Sequence, residues 1–182
     1  VFVSANNLSE QLVWFYIFLA VLSIMAAILY TVGKSAYGYY GFGDLMVFLF
    51  FGILSVLGVF SLYGLSFDWL TLLPAISIGL WSSAVLNLNN MRDVENDRNS
   101  QKRTIVVQMG LSRAKVYHTF LILIGIISWL ILLSTFAMLR QNWFVFMSLL
   151  PSFVFYTHLN KIWGISDLKD FDGELKKVAL LV

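Results

Sequence analysis

The sequence contains no cysteine, which excludes a disulfide framework, a thiolate metal site and a cysteine nucleophile. Charge is scarce. Asp, Glu, Lys and Arg make up 12% of the residues, against roughly 25% in ordinary soluble domains, too few to cover a soluble surface. No basic segment or small-residue cleavage site accompanies the first apolar stretch, so that stretch does not read as a signal peptide. Internal repeats and low-complexity tracts are lacking too. An initiator methionine is missing: the sequence opens at Val1, and the first methionine is Met25. The expectation is a longer protein whose N-terminal part lies upstream.

What is present is apolar and arranged in runs. Hydrophobic residues are 59% of the chain and the mean hydropathy is +0.81. A helix needs about 20 apolar residues to cross the hydrocarbon core. Five nearly charge-free stretches qualify: Leu12–Tyr30, Leu45–Tyr63, Leu70–Leu86, Tyr117–Leu139 and Trp143–Leu159. The third and fifth are near the lower limit, and Pro151 predicts a kink in the fifth. The tail from Lys176 and Lys177 into Val178–Val182 resembles basic anchors before another apolar run, so a sixth span is expected to be cut off there. The fold class is all-α, a polytopic transmembrane bundle forming a single domain over 1–182, truncated at both ends.

With five spans, the 31–44 and 87–116 connections and the C-terminal tail share one side. That side holds eleven of the twelve Lys and Arg residues, Arg140 being the exception. The positive-inside rule makes it cytoplasmic. Trp14, Trp69 and Trp143 then fall near outer helix ends and Trp163 near the inner face, as an interfacial belt requires.

The segment 87–116 carries the chemistry. If the third span continues as a helix, Asn89, Asp93 and Asp97 stack one turn apart on a single face. Two carboxylates and an amide oxygen form a hard, all-oxygen site suited to Mg²⁺, which takes one or two carboxylates and completes its shell with water and phosphate oxygens. Arg92 and Arg98 flank the carboxylates, Lys102 and Arg103 follow, and the segment is net positive, as an anionic substrate requires. Mixed Asp/Arg runs also occur as plain solvated helix faces. Three asparagines within four positions at the end of an apolar helix favour a polar cavity instead, because amides in lipid need partners. A second group, Tyr30 and Lys34, precedes a glycine-rich turn at 37–44 on the same face. It reads either as interfacial anchors with Asp44 capping the next helix, or as a phosphate contact through Lys34. His118 and His158 read as interfacial or packing residues.

Asn89-Asn-Met-Arg-Asp93-x₃-Asp97-x₄-Lys102-x-Thr104, followed by Val106-Val107-x-x-Gly110, resembles the second Asp-rich motif of the UbiA-type intramembrane prenyltransferases. The form is that of members acting on 1,4-dihydroxy-2-naphthoate. Tyr30-Thr-x-Gly-Lys34, then Gly38-Tyr-x-Gly41-x-Gly43-Asp44, is similar to the signature between that family's fourth and fifth helices. The resemblance implies a nine-helix bundle, of which this chain would hold helices four to eight and the start of nine. It implies Mg²⁺ as cofactor and transfer of a polyprenyl group from polyprenyl diphosphate to 1,4-dihydroxy-2-naphthoate, with decarboxylation to demethylmenaquinone. Asp93 and Asp97 would be metal ligands with Asn89 beside them, and Asp93, Asp97 and Lys102 the catalytic set. Arg92, Arg98, Lys102, Lys34 and Tyr30 would hold the diphosphate.

The membrane lipid is the surrounding partner, nucleic acid is not expected, and the site would open on the cytoplasmic side of the inner membrane. The family's first Asp-rich motif is not in this sequence, so these residues alone are expected to be inactive. Gln101 departs from the family, which has glycine before the lysine. Alternatives are the same chemistry on 4-hydroxybenzoate, homogentisate or a chlorophyllide, and, in another class, a transporter or membrane scaffold.

Overall fold

The computed structural model describes residues 10–33, 36–63, 68–150 and 152–182. Among them the regular structure is helical: α1 (Glu10–Thr31), α2 (Gly43–Leu62), α3 (Leu72–Arg92), α4 (Val94–Asn99), α5 (Ile105–Met109), α6 (Leu111–Arg140), α7 (Ser152–Gly164) and α8 (Phe171–Leu181). Short 3₁₀ segments sit at Tyr37–Tyr40, Trp69–Thr71, Trp143–Leu149 and Leu168–Asp170. Four described segments are long and apolar enough to cross a bilayer: Leu12–Thr31, Gly43–Leu62, Trp69–Arg92 and Leu111–Leu139. They coincide with the first four expected stretches, and the third runs past Leu86 to Arg92, as the stacking of Asn89 and Asp93 requires.

The fifth stretch is not one helix. It divides into the 3₁₀ segment Trp143–Leu149 and α7. The division falls at Pro151, which lies outside the described residues and whose type has no N–H to give a helix. At about 2.0 and 1.5 Å per residue the two pieces have a contour comparable to the roughly 30 Å hydrocarbon core. A crossing there would be made by a broken element.

α3 is the central helix, packed against α2, α6 and α8. Its buried face is built from small residues, among them Ala75, Ser77, Gly79, Ser83 and Ala84. In lipid, apolar side chains gain little by leaving one apolar medium for another, so helices associate through close packing and interhelical hydrogen bonds. Both are present. A Cβ on Gly52 of α2 would sit 2.5 Å from the Ala75 carbonyl and 2.6 Å from the Gly79 Cα, so the two backbones touch at a Gly–Gly contact. α2 winds as a π-helix over Phe48–Leu54 at that contact, with the Phe48 ring lying against Gly79. Ser77 Oγ donates to the Gly125 carbonyl and Ser128 Oγ to the Leu73 carbonyl, each at 3.0 Å, joining α3 to α6. Ser83 Oγ donates to the Asp44 carbonyl at 3.0 Å, joining α3 to α2. Such bonds contribute about 0.6 kcal/mol each on average in membranes. α1 is pinned more lightly: Tyr16 donates to the Gly58 carbonyl at 2.6 Å and contacts Ser61.

The larger apolar core lies toward the C-terminal end of α3. Leu88, Met91, Val94, Val106, Ile122, Phe155, Ile162, Phe171 and Val178 form one cluster that ties α3 to α8 together. Inside it the two histidines are buried rather than interfacial. His118 Nε2 and His158 Nε2 share a hydrogen bond at 2.9 Å, and His158 Nδ1 donates to Glu174 Oε2 at 2.8 Å. Glu174 is fully buried, and its other oxygen accepts from Lys177 (2.7 Å) and Lys161 (3.0 Å). Burial pushes the Glu174 carboxyl up, but donation from Lys177, His158 and Lys161 outweighs it and holds the group at about 2. This packing makes the end of α3 a rigid base for the polar residues above it.

Candidate active site

Asp93 leaves helical geometry (φ −96°, ψ 10°) and separates α3 from α4. The i→i−4 bonding nevertheless continues across it. Asp93 N donates to the Asn89 carbonyl at 3.0 Å and Asp97 N to the Asp93 carbonyl at 2.8 Å. Asn89, Asp93 and Asp97 therefore keep the one-turn spacing their sequence positions predict, and all three line one cleft of about 130 Å³.

The spacing of Lys102 from Asp97 also has a backbone cause. α4 ends in a Schellman motif: Lys102 N donates to the Asp97 carbonyl at 2.9 Å and Gln101 N to the Arg98 carbonyl at 3.1 Å. The motif needs a left-handed residue just past the helix, and Gln101 supplies it with φ 57°. Glycine is the usual occupant of such a position because it has no Cβ to crowd the carbonyl. This is the backbone role of the position at which the family pattern has glycine. The turn folds Lys102 back so that its Nζ reaches Asp97 Oδ1 at 3.2 Å. Thr104 then caps α5, its side chain accepting from Val107 N.

The opposite wall comes from the end of α1 and the 3₁₀ turn after it, through Tyr30, Thr31, Gly38 and Tyr39. The turn lies so close to α1 that a Cβ on Gly38 would be 2.7 Å from the Tyr30 carbonyl. Arg103 N donates to the Tyr39 carbonyl at 2.7 Å, and Lys102 Nζ sits 5.5 Å above the Tyr39 ring. Both walls are thus stitched together at the cleft mouth.

Charges in the cleft are paired. Asp97 is buried, its side chain 6% exposed. Donation to Asp97 raises the Lys102 ammonium above the ordinary lysine range against the opposing effect of burial. Arg92 donates through Nε to Asp93 Oδ1 and through Nη2 to Asp93 Oδ2, both at 2.9 Å, and through Nη2 to Asn89 Oδ1 at 2.7 Å. This bidentate donation holds the Asp93 carboxyl below the usual carboxylate range despite partial burial. The remaining guanidinium nitrogen, Nη1, reaches Asp172 Oδ1 of α8 at 3.2 Å.

Of the residues singled out in the sequence, Tyr30, Asn89, Asp93, Asp97 and Lys102 meet in this cleft. Arg92 contacts two of them from the flank that faces α8. Arg98 does not line the cleft: it is exposed on an adjoining wider one of about 810 Å³, which shares Lys102 and Tyr39. Lys34 lies outside the described residues. Asp44 does not cap α2. The N-cap position is Phe42, no side chain bonds there, and Asp44 is buried with Oδ1 lacking a hydrogen-bond partner among the described residues. Sequence reasoning missed Asp172 and Tyr39, which reach the site only through the fold. The α4 cap was visible in principle, since a lysine five residues beyond the aspartate is where a Schellman turn brings the chain back.

The donor set fits Mg²⁺. Asn89, Asp93 and Asp97 present hard oxygens, and in this structure cationic side chains already occupy those oxygens. Among the described residues no three His, Cys, Asp or Glu side chains could enclose a metal unaided. Two apolar spaces adjoin. A groove of about 720 Å³ begins at Asn89 and runs between α2, α3 and α8 past Phe51, Val85 and Ala179. A chamber of about 370 Å³ lies between α1 and α2 beside Tyr30, Met46 and Phe50.

The chain is 36% identical over 182 residues to a protein of Haemophilus influenzae named 1,4-dihydroxy-2-naphthoate octaprenyltransferase, covering 99% of this chain and 58% of that protein. It is 46% identical over 108 residues to the Escherichia coli protein of that name, covering 59% of this chain and 35% of the relative. The Mycobacterium tuberculosis protein of that name is 40% identical over 113 residues, 62% of this chain and 39% of the relative. The chain thus spans 58% or less of the length of each of these relatives. No solved structure gives a significant match. The model of the UbiA prenyltransferase family matches residues 2–172. With its apolar spanning helices and its Asp-rich cleft, the chain belongs to the UbiA prenyltransferase family, and it is a multi-pass membrane protein.

Proposed function

We propose that the protein transfers a polyprenyl group from polyprenyl diphosphate to 1,4-dihydroxy-2-naphthoate, with loss of the ring carboxylate, to give the demethylated quinone of menaquinone biosynthesis. The observation that carries this reading is the convergence of Asn89, Asp93, Asp97 and Lys102 in one cleft that shares Asn89 with an apolar groove. Polar chemistry meets a lipid-like channel there, as a substrate with a diphosphate head and an isoprenoid tail requires. The names of the relatives support the acceptor.

In this reading Asn89, Asp93 and Asp97 would hold Mg²⁺, and the ion would supply charge neutralisation for the diphosphate leaving group. Lys102, returned to Asp97 by the α4 cap, donates to the diphosphate oxygens as the carbon–oxygen bond breaks, and Arg92 adds a second donor. Tyr30 approaches the same head group from the end of α1, Lys34 is assigned to it by its place in the sequence motif, and Arg98 serves the outer approach. The isoprenoid lies along the groove past Phe51 and Val85, where water is excluded and aromatic faces shield an allylic cation. The excess of Lys and Arg in the connections on its side supports a cytoplasmic opening of the cleft at the inner membrane.

The test is diphosphate release by the complete protein with polyprenyl diphosphate and each candidate acceptor: 1,4-dihydroxy-2-naphthoate, 4-hydroxybenzoate, homogentisate and a chlorophyllide. Mg²⁺-dependent release with the naphthoate alone, abolished by Asp93→Ala, is expected. Undiminished Mg²⁺-dependent turnover in both Asp93→Ala and Asp97→Ala removes the assignment of the metal ligands.

A further inference from the structure

Arg92 takes up both oxygens of Asp93 and the side-chain oxygen of Asn89. These are the donors assigned above to the metal, so Arg92 and the metal compete for them. The guanidinium has one more contact, and it leads away from the cleft. Nη1 reaches Asp172 Oδ1 at 3.2 Å, and the other Asp172 oxygen accepts from Lys176 at 2.7 Å. Asp172 sits in the first turn of α8, on a segment fixed by the buried Phe171 and the Glu174 network. It is thus an anchored acceptor on the far side of Arg92 from Asp93.

We infer that Arg92 is the resident counter-cation of the Asn89–Asp93 cradle, and that Asp172 is a positioning residue which holds Arg92 when a divalent cation takes Asp93. The inference rests on the metal-site reading and assigns a role to a residue outside the motif. With the metal absent, Arg92 compensates the Asp93 carboxylate and satisfies the Asn89 amide oxygen at the edge of a membrane, as Lys102 compensates Asp97. When the metal arrives, Asp93 exchanges one cation for another. Arg92 keeps Asp172 as a partner and stays beside the site, where its freed nitrogens face the head group of the substrate.

The test is the affinity of the complete, detergent-purified protein for Mn²⁺ alone, read by electron paramagnetic resonance without diphosphate. An arginine beside a carboxylate shifts its proton affinity by about one to three orders of magnitude. At the lower end of that range, Arg92→Gln tightens Mn²⁺ binding about tenfold. Arg113→Gln removes an exposed cation from the start of α6 and changes binding by less than about twofold, which separates a competing contact from general charge. Arg92→Lys keeps the charge but cannot span the same acceptors, and tightens binding by a smaller factor; it also serves if the glutamine variant does not fold.

Asp172→Asn weakens Mn²⁺ binding about threefold when Arg92 is present and leaves it unchanged in the Arg92→Gln background, a non-additivity that marks action through Arg92. Equal factors in both backgrounds, or no tightening in either Arg92 variant, overturn the inference. Asp93→Asn reports on the underlying reading: loss of Mn²⁺ binding upholds the metal site, whereas wild-type binding removes the site and the inference together.

Discussion

Glu174→Gln is a near-isosteric change at the most heavily engaged acid of the fold. The carboxylate is fully buried and accepts from His158, Lys161 and Lys177. Glutamine retains one oxygen but turns an NH₂ group toward one set of donors, so at least one bond becomes a donor–donor clash. A charge-assisted hydrogen bond contributes about 1.5–3 kcal/mol, but Lys161 and Lys177 are about half exposed, which brings each lysine pair nearer to about 1 kcal/mol. With the His158 bond the expected loss is on the order of 2–3 kcal/mol. The shift of the carboxyl from roughly 4.5 to about 2 corresponds to on the order of 3 kcal/mol, an upper bound of similar size.

The pH dependence has a fixed sign. A folded value below the unfolded one means the stabilisation is complete above about pH 4.5 and disappears as pH falls toward 2. The gap between wild type and variant is therefore already narrowing at pH 4.5, and is smaller by roughly 0.8 kcal/mol at pH 4. Thermal unfolding of the detergent-solubilised protein, followed by intrinsic fluorescence at pH 7 and pH 4, reads both effects. A drop of several degrees at pH 7 is expected. A melting temperature unchanged by the substitution, or a gap that widens in acid, refutes the assignment of Glu174 as an ionised acceptor.

Gln101→Gly should raise the melting temperature slightly: relief of the left-handed conformation, about 1–2 kcal/mol, exceeds the added chain entropy of glycine, about 0.5–1 kcal/mol. A lower melting temperature argues against the α4 cap. Thr104→Val removes the oxygen that caps α5 and should cost about 1 kcal/mol, seen as a lower unfolding midpoint and faster amide exchange over 105–109. Gly79→Leu drives a side chain into Phe48 and the α2 backbone, so the protein should lose its monodisperse peak in size-exclusion chromatography; normal elution and melting contradict the Gly52–Gly79 contact. Lys102→Gln should lower kcat far more than it raises the KM for the acceptor, because its proposed partner is the leaving group. An effect confined to the acceptor KM contradicts that role.

Much of this was legible in the chain itself. The first four spans follow from the thickness of a bilayer and the near absence of charge within them. The alignment of Asn89, Asp93 and Asp97 follows from helical periodicity, which held even though Asp93 departs from helical angles. What local pattern cannot supply is the partner. Arg92 and Asp172 are 80 positions apart, and nothing in either neighbourhood announces the other. His118 and His158 read as interfacial or packing residues because they lie near helix ends; the structure makes them packing residues, because α8 folds over them and supplies Glu174. Asp44 stands where a helix cap is expected, but the close approach of α2 to α3 buries it instead. The fifth stretch matched the hydropathy of a span, a measure insensitive to whether one helix or two pieces carry it.

The touching backbones of Gly52 and Gly79 bear on how a substrate enters. With the two main chains touching and the Phe48 ring packed beside them, α2 cannot roll or part from α3 without breaking the contact outright. That pair is the fixed jaw. Any opening of the cleft falls to its opposite side, where the end of α1 and the capped stretch from Asp93 to Thr104 must part at the Arg103–Tyr39 backbone bond and the Lys102–Tyr39 contact.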